Sequence, residues 1–171
     1  SLCSEQKVEE LTVVVADFQT SGRGQRGNSW ESDPGKNLLF STVIFPEFLE
    51  ARRQFLISQV ISLAIKEELD TYTTDISIKW PNDIVINGKK ICGILTEMSA
   101  QFDYINHIVI GIGINVHNES FPEELQDHAG SLLLECGKRV HRADLIEAFL
   151  EEFERLYAIY LQTEDLSALQ E

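Results

Sequence analysis

Residues 106–116 read Asn-His-Ile-Val-Ile-Gly-Ile-Gly-Ile-Asn-Val. Successive side chains of a β-strand point to opposite faces. Ile108, Ile110, Ile112, Ile114 and Val116 therefore share one face, which must be packed. Val109, Gly111, Gly113 and Asn115 share the other. Two glycines weaken a strand and mark close approach of a ligand or of another backbone. The segment thus demands a sheet with one filled face and one cleared shelf, with Asn115 as a hydrogen-bonding group at the end of the shelf.

The segment before it reads as the partner hairpin, residues 83–100, turning at Asn87-Gly88. Asn-Gly supplies the positive φ angles of a type I′ turn. Gly93 and Leu95 share a face and extend the shelf. Strict alternation puts Lys90 on the opposite parity from Gly93. A bulge, a twist or the length of the lysine stem has to bring its amine over if both serve one site.

Around this hairpin the periodicity changes. Residues 11–18, 37–45 and 76–80 read as strands, the last two stopped by Pro46 and Pro81. Residues 51–69 take helical spacing, with an apolar arc wide enough to pack on a sheet. Pro122–Leu125 reads as a first helical turn, and Ser131–Glu135 as a short helix closed near Gly137. Asp144–Leu161 reads as a long amphipathic helix. Adjacent strands with inserted helices give an α+β fold, its sheet largely antiparallel or mixed and packed with helices.

The 171 residues fit one domain. A net charge of −14 argues against general nucleic-acid binding, so no DNA partner is expected. No apolar run reaches membrane length, and the start lacks a signal-peptide pattern. Cys3, Cys92 and Cys136 form no Cys-x-x-Cys pair and fit free thiols in the cytoplasm. The four histidines show no metal spacing, so no metal site is expected by direct motif.

Between the first two strands lies a long loop, Asp17–Asn37, with no pattern of an element of its own. Loops of this length are binding loops, lids or disordered segments. Gly22-Arg23-Gly24-Gln25-Arg26-Gly27 matches G-x-G-x-x-G, but no helix opens at its end, so the dinucleotide fingerprint fails. Strand, glycine loop, strand is also the kinase order, but His-Arg-Asp and Asp-Phe-Gly are absent. The loop's chemistry survives both exclusions. Glycines admit a ligand close to backbone amides. Arg23 and Arg26 offer forked donors for phosphate or carboxylate. Trp30 either stacks on a base or tucks into the core. Lys79-Trp80-Pro81-Asn82-Asp83, taken alone, is as readily a turn as a site.

Taken together, Gln19–Trp30, Lys79–Asp83, Lys90-Ile91-Cys92-Gly93-Ile94-Leu95 and Gly111-Ile112-Gly113-Ile114-Asn115 resemble the biotin protein ligase family in order and spacing. The likeness runs from about residue 11 to residue 161. It implies an α+β fold related to class II aminoacyl-tRNA synthetases and biotin synthetase. It also implies a two-step reaction. Biotin and Mg-ATP give biotinyl-5′-AMP, and a lysine of a biotin carboxyl carrier protein then takes the biotinyl group. The carrier would belong to acetyl-CoA carboxylase or a related biotin-dependent carboxylase.

The resemblance assigns catalytic roles to Lys90, Arg23 and Asp83. It gives biotin contacts to Gln19, Gly22, Arg23, Gly24, Gln25, Lys90, Gly93, Leu95, Gly111 and Gly113. ATP contacts fall to Arg26, Asn28, Trp30, Asn82, Asp83 and Asn115. Mg2+ would arrive on the ATP phosphates, with Asp83 a candidate for ordering them. Gln25 and Asn28 stand where members of the family carry basic residues. The Ser-Thr-Asn motif upstream and the small C-terminal β domain are missing from the sequence, so a single catalytic domain cut at both ends is expected. A homodimer is allowed. The alternatives are a lipoate or octanoyl transferase, or a core that binds without turning over.

Overall fold

The computed structural model describes residues 8–164, apart from the Arg26 side chain; Cys3 lies outside the described residues. Its centre is a six-stranded sheet in the order β1-β4-β8-β7-β6-β5. The strands are β1 Val13–Ala16, β4 Asn37–Ile44, β5 Ile76–Lys79, β6 Asp83–Ile86, β7 Lys89–Gln101 and β8 Tyr104–Asn115. Every pairing within it is antiparallel, in keeping with the expected α+β fold and its largely antiparallel sheet. The β6–β7 turn has φ of 53° at Asn87 and 77° at Gly88, as the Asn-Gly pair requires.

One face of the sheet carries the core. Ile108, Ile110, Ile112 and Ile114 are at most 3% exposed. They join a cluster with Ile57, Ile61 and Ile65 of helix α1, Gln54–Leu69, and Phe149, Phe153 and Leu156 of helix α3, Arg142–Thr163. Phe149 ties α3 to the sheet, its ring centroid 5.4 Å from that of Phe40. Each such side chain contributes about 1.5–3 kcal/mol on burial. The long helix is amphipathic as expected: Leu145, Phe149, Phe153, Leu156 and Tyr160 are buried, whereas Leu161 is exposed.

The short helix α2, Leu132–Cys136, is held at both ends. The Ser131 hydroxyl accepts from the Leu134 N–H at 3.1 Å, and Gly137 closes the helix at φ 65°. Residues 51–53 form a 3-10 turn ahead of α1, and Glu123–Leu125 is a 3-10 turn rather than the start of a helix.

The glycine loop differs from expectation. It folds into a small antiparallel hairpin, β2 Gly22–Arg23 with β3 Ser29–Trp30, joined by a 3-10 turn at Gln25–Gly27. A side chain at residue 22 would collide with the Trp30 carbonyl, so glycine at this position permits the pairing.

Candidate active site

Residues directly opposite in antiparallel ladders face the same side. One such row crosses the whole sheet: Ala16, Leu39, Gly113, Gly93, Asp83 and Lys79. The next row on that face holds Val14, Ser41, Gly111 and Leu95. The shelf predicted from alternation is therefore continuous across β8 and β7.

Lys90 reaches this face by a β-bulge. Ile84 pairs with Cys92, but Val85 pairs with Lys90, so Ile91 is an extra residue on β7. Ile91 and Cys92 both enter the core, each 0% exposed. The strand's parity is thereby inverted, and Lys90 turns to the shelf. Its Nζ lies 2.8 Å from Asp83 Oδ1 and 5.5 Å from the centroid of the Trp30 ring. Asp83 thus anchors the amine.

Part of the shelf is already covered. A Cβ on Gly93 would stand 2.8 Å from the Trp30 ring, and one on Gly113 would stand 2.7 Å from it. Gly93 and Gly113 seat the indole and also line the cavity beside it. Gly111 remains clear, since a Cβ there would meet nothing closer than 3.5 Å. The Trp30 Nε1 is buried and finds no acceptor among the described residues.

Two cavities adjoin here. The first, about 320 Å³, is lined by Arg23, Gly24, Gln25, Asn82, Gly93, Leu95, Gly111 and Gly113 among others. The second, about 1030 Å³, is lined by Gly22, Asp33, Asn115, Asn118, Phe121 and Leu125 among others. Gln19, Ser21, Trp30 and Lys90 line both. The lysine amine and the indole stand at the junction.

The other expected residues are spread over both cavities and beyond them. Gly22 borders the second cavity, not the first. Asn82 borders the first, its amide donating to the Ile94 carbonyl at 2.6 Å. Asn115 is 5% exposed; it donates to the Gly130 carbonyl at 3.0 Å and accepts from Asn37 at 2.7 Å. Its amide is engaged within the protein. Asn28 lines neither cavity; its backbone instead closes the hairpin, accepting from the Gly24 N–H at 2.6 Å. Arg23 pairs with Glu97, which lines the first cavity with it, at 3.0 Å, and its side chain is 71% exposed. The Arg26 side chain is outside the described structure.

Sequence reasoning missed Glu97, although it has the parity of Gly93 and Leu95. It also missed the second cavity's wall, Asn118–Leu125, where no periodic pattern marks a site. Cys92 lines neither cavity, and burial pushes its thiol well up, which leaves it inert. Among the described residues no group of three or more His, Cys, Asp or Glu is placed to hold a metal ion. No helix among them is long and apolar enough to cross a membrane.

A sequence model of the biotin/lipoate A/B protein ligase family matches residues 2–115. The chain belongs to this family. Among its relatives, the bifunctional ligase/repressor BirA of Bacillus subtilis is 44% identical over 156 residues, covering 89% of this chain and 47% of that protein. The biotin–[acetyl-CoA-carboxylase] ligase of Mycobacterium tuberculosis is 30% identical over 125 residues, covering 71% of this chain and 44% of that one. The chain thus spans about half the length of these relatives. The biotin protein ligase of Aquifex aeolicus, solved with biotin and ATP, superposes with a TM-score of 0.81 at 32% identity, covering 93% of this chain and 66% of that one. The α+β fold is that of the biotin protein ligases.

Proposed function

We propose that this chain is the catalytic core of an ATP-dependent biotin protein ligase. The observation that carries the reading is the place of Lys90, a cation fixed by Asp83 at the junction of two cavities. A reaction joining a carboxylate to a phosphate needs a positive charge at such a junction. The matched relatives are named for biotin rather than lipoate, and the Aquifex aeolicus enzyme holds biotin and ATP together.

In this reading biotin enters the smaller cavity, over Gly111 and Leu95, and ATP the larger. A biotin carboxylate oxygen attacks the α-phosphorus. The bond to the β-phosphate oxygen breaks, and pyrophosphate leaves. Lys90 stabilises the negative charge that builds on the phosphoryl oxygens, and the Asp83 pair keeps its amine in place beforehand. Trp30 shields the junction from water and offers its unpaired Nε1–H to a ligand oxygen. Arg23 swings from Glu97 to the substrate oxygens. In the second step a lysine amine of the carrier attacks the biotinyl carbonyl carbon. An amide forms, and AMP leaves with the shared oxygen.

A magnesium site built by the protein does not fit, because Asp83 is engaged by Lys90 and, among the described residues, no group of three or more His, Cys, Asp or Glu is placed to hold a metal ion. Magnesium belongs to the Mg-ATP substrate. The carrier is a biotin carboxyl carrier domain of acetyl-CoA carboxylase or a related carboxylase, and the reaction is placed in the cytoplasm.

Incubating the chain with Mg-ATP, an apo carrier domain and labelled biotin or lipoate tests this. Biotin-dependent pyrophosphate release and label on the carrier are expected. Preferential transfer of lipoate would overturn the substrate. Tight biotin binding without any pyrophosphate release would reduce the chain to a binding module.

A further inference from the structure

Lys90 stands opposite Val85 of β6, but its backbone N–H and C=O point to the other edge of β7, beyond Cys92, the last residue there paired with β8. They are taken up from an unexpected quarter. The Lys90 N–H donates to the His128 carbonyl at 2.7 Å, and the Gly130 N–H donates to the Lys90 carbonyl at 3.0 Å. Lys90 and Ala129 form an isolated parallel bridge. Both main-chain polar groups of the key lysine are therefore held by one short segment, His128–Gly130.

That segment is itself fixed and closely fitted. The Gly130 carbonyl accepts from Asn115 at 3.0 Å. A Cβ on Gly130 would stand 2.9 Å from Glu135 Oε1 and 3.0 Å from Ile91 Cδ1, the bulge residue. Ser131, 0% exposed, follows it and donates to the Asn118 carbonyl at 2.7 Å. Ala129, Leu125, Phe121 and Asn118 line the larger cavity. The same stretch of chain is thus the wall of that cavity and the backbone partner of Lys90.

We propose that His128–Gly130 is a positioning element that couples occupancy of the larger cavity to the placement of the Lys90 amine. This rests on the assignment of ATP to that cavity. A ligand pressing on Ala129 and Leu125 acts on the chain to which the lysine's N–H and C=O are bonded. The last β7 residue at this end paired with β8 is Cys92, so on the side away from β6 the backbone of Lys90 is held by this segment, and tightening the segment tightens the lysine. The cation is then best placed when the nucleotide is bound.

Gly130→Pro tests the element, since proline removes the N–H that bonds the Lys90 carbonyl. Ser131→Ala loosens the segment more gently and serves if the proline variant fails to melt cooperatively. The rate of biotinyl-adenylate formation is measured for each variant alone and in a Lys90→Ala background. A fall of about tenfold or more in the native background and less than about twofold beside Lys90→Ala is expected, because the segment acts through the lysine. Equal falls in both backgrounds would overturn the proposal. Amide hydrogen exchange gives a second readout, free of turnover. ATP should slow exchange of the Lys90 N–H in the unaltered chain and not in Gly130→Pro. ATP binding with unchanged exchange at Lys90 would overturn the coupling. Lys90→Ala with a native rate would instead remove the catalytic role of the lysine, with the exchange result still reporting on the clamp.

Discussion

Gly93 and Gly113 stand opposite each other on β7 and β8, and the indole of Trp30 lies across both. Their lack of side chains serves a protein ring before it serves a ligand. Trp30 also borders both cavities, so its seat sets the shape of each. A Cβ at Gly113 would force the rigid indole up by a substantial fraction of an ångström. Gly113→Ala is expected to remain folded and to weaken ATP binding at least tenfold. Calorimetry beside a melting curve checks this; a folded variant with unchanged affinity would refute the seat.

Lys90→Ala removes the only cation that borders both cavities among the described residues. Loss of one preorganised charge donor costs on the order of 10²–10³ in rate. Adenylate formation should fall by that amount. Asp83→Asn keeps the cation and loses its anchor, so its fall should be smaller. Pyrophosphate release orders the two variants. The reverse order would show that the carboxylate, not the amine, carries the step.

Much of this arrangement was legible. The alternation over 106–116 placed five residues in the core, and Ile108, Ile110, Ile112, Ile114 and Val116 are all buried. Asn87-Gly88 marked its turn because positive φ is a local demand. The parity of Lys90 was not legible. The bulge at Ile91 is compensated by His128 and Gly130, nearly forty residues away, and no local pattern reports such a partner. The hairpin in the glycine loop escaped for a similar reason. Its strands are two residues each, too short for any period to register. The internal engagement of Asn115 likewise depends on Asn37 and Gly130, which meet it only in the fold.

Arg23 tests the loop as a lid. Its pair with Glu97 is exposed on both sides, 71% and 48%, and such pairs are worth about 0–1 kcal/mol. The pair is easily exchanged for a substrate carboxylate or phosphate. Trypsin cleavage after Arg23 should therefore slow when biotin and ATP are present together. Arg23→Ala should weaken biotin binding and leave the melting temperature nearly unchanged. Cleavage at the same rate with and without ligands would count against closure.

The pair of carboxyl groups between α1 and α3 predicts a pH dependence away from the site. Burial first, then hydrogen bonding to Glu152, pushes the Glu67 carboxyl up from 4.5 to about 7. Arg155, 3.1 Å from Glu67, opposes this only in part. A raised acid holds its proton in the folded chain after the unfolded chain has released it. Folding therefore loses stability as pH rises from about 4.5 to about 7, and the loss is complete above that window. Glu152 is shifted the other way, chiefly by its hydrogen bond to Arg155, and contributes stability that is lost as pH falls below 4.5. Glu67→Gln keeps a neutral donor toward Glu152 at every pH. Its melting temperature should match the native chain near pH 5 and exceed it near pH 8. Thermal melts across that range decide the matter: a variant less stable at pH 8 would show that the Arg155 pair outweighs the burial of the charge.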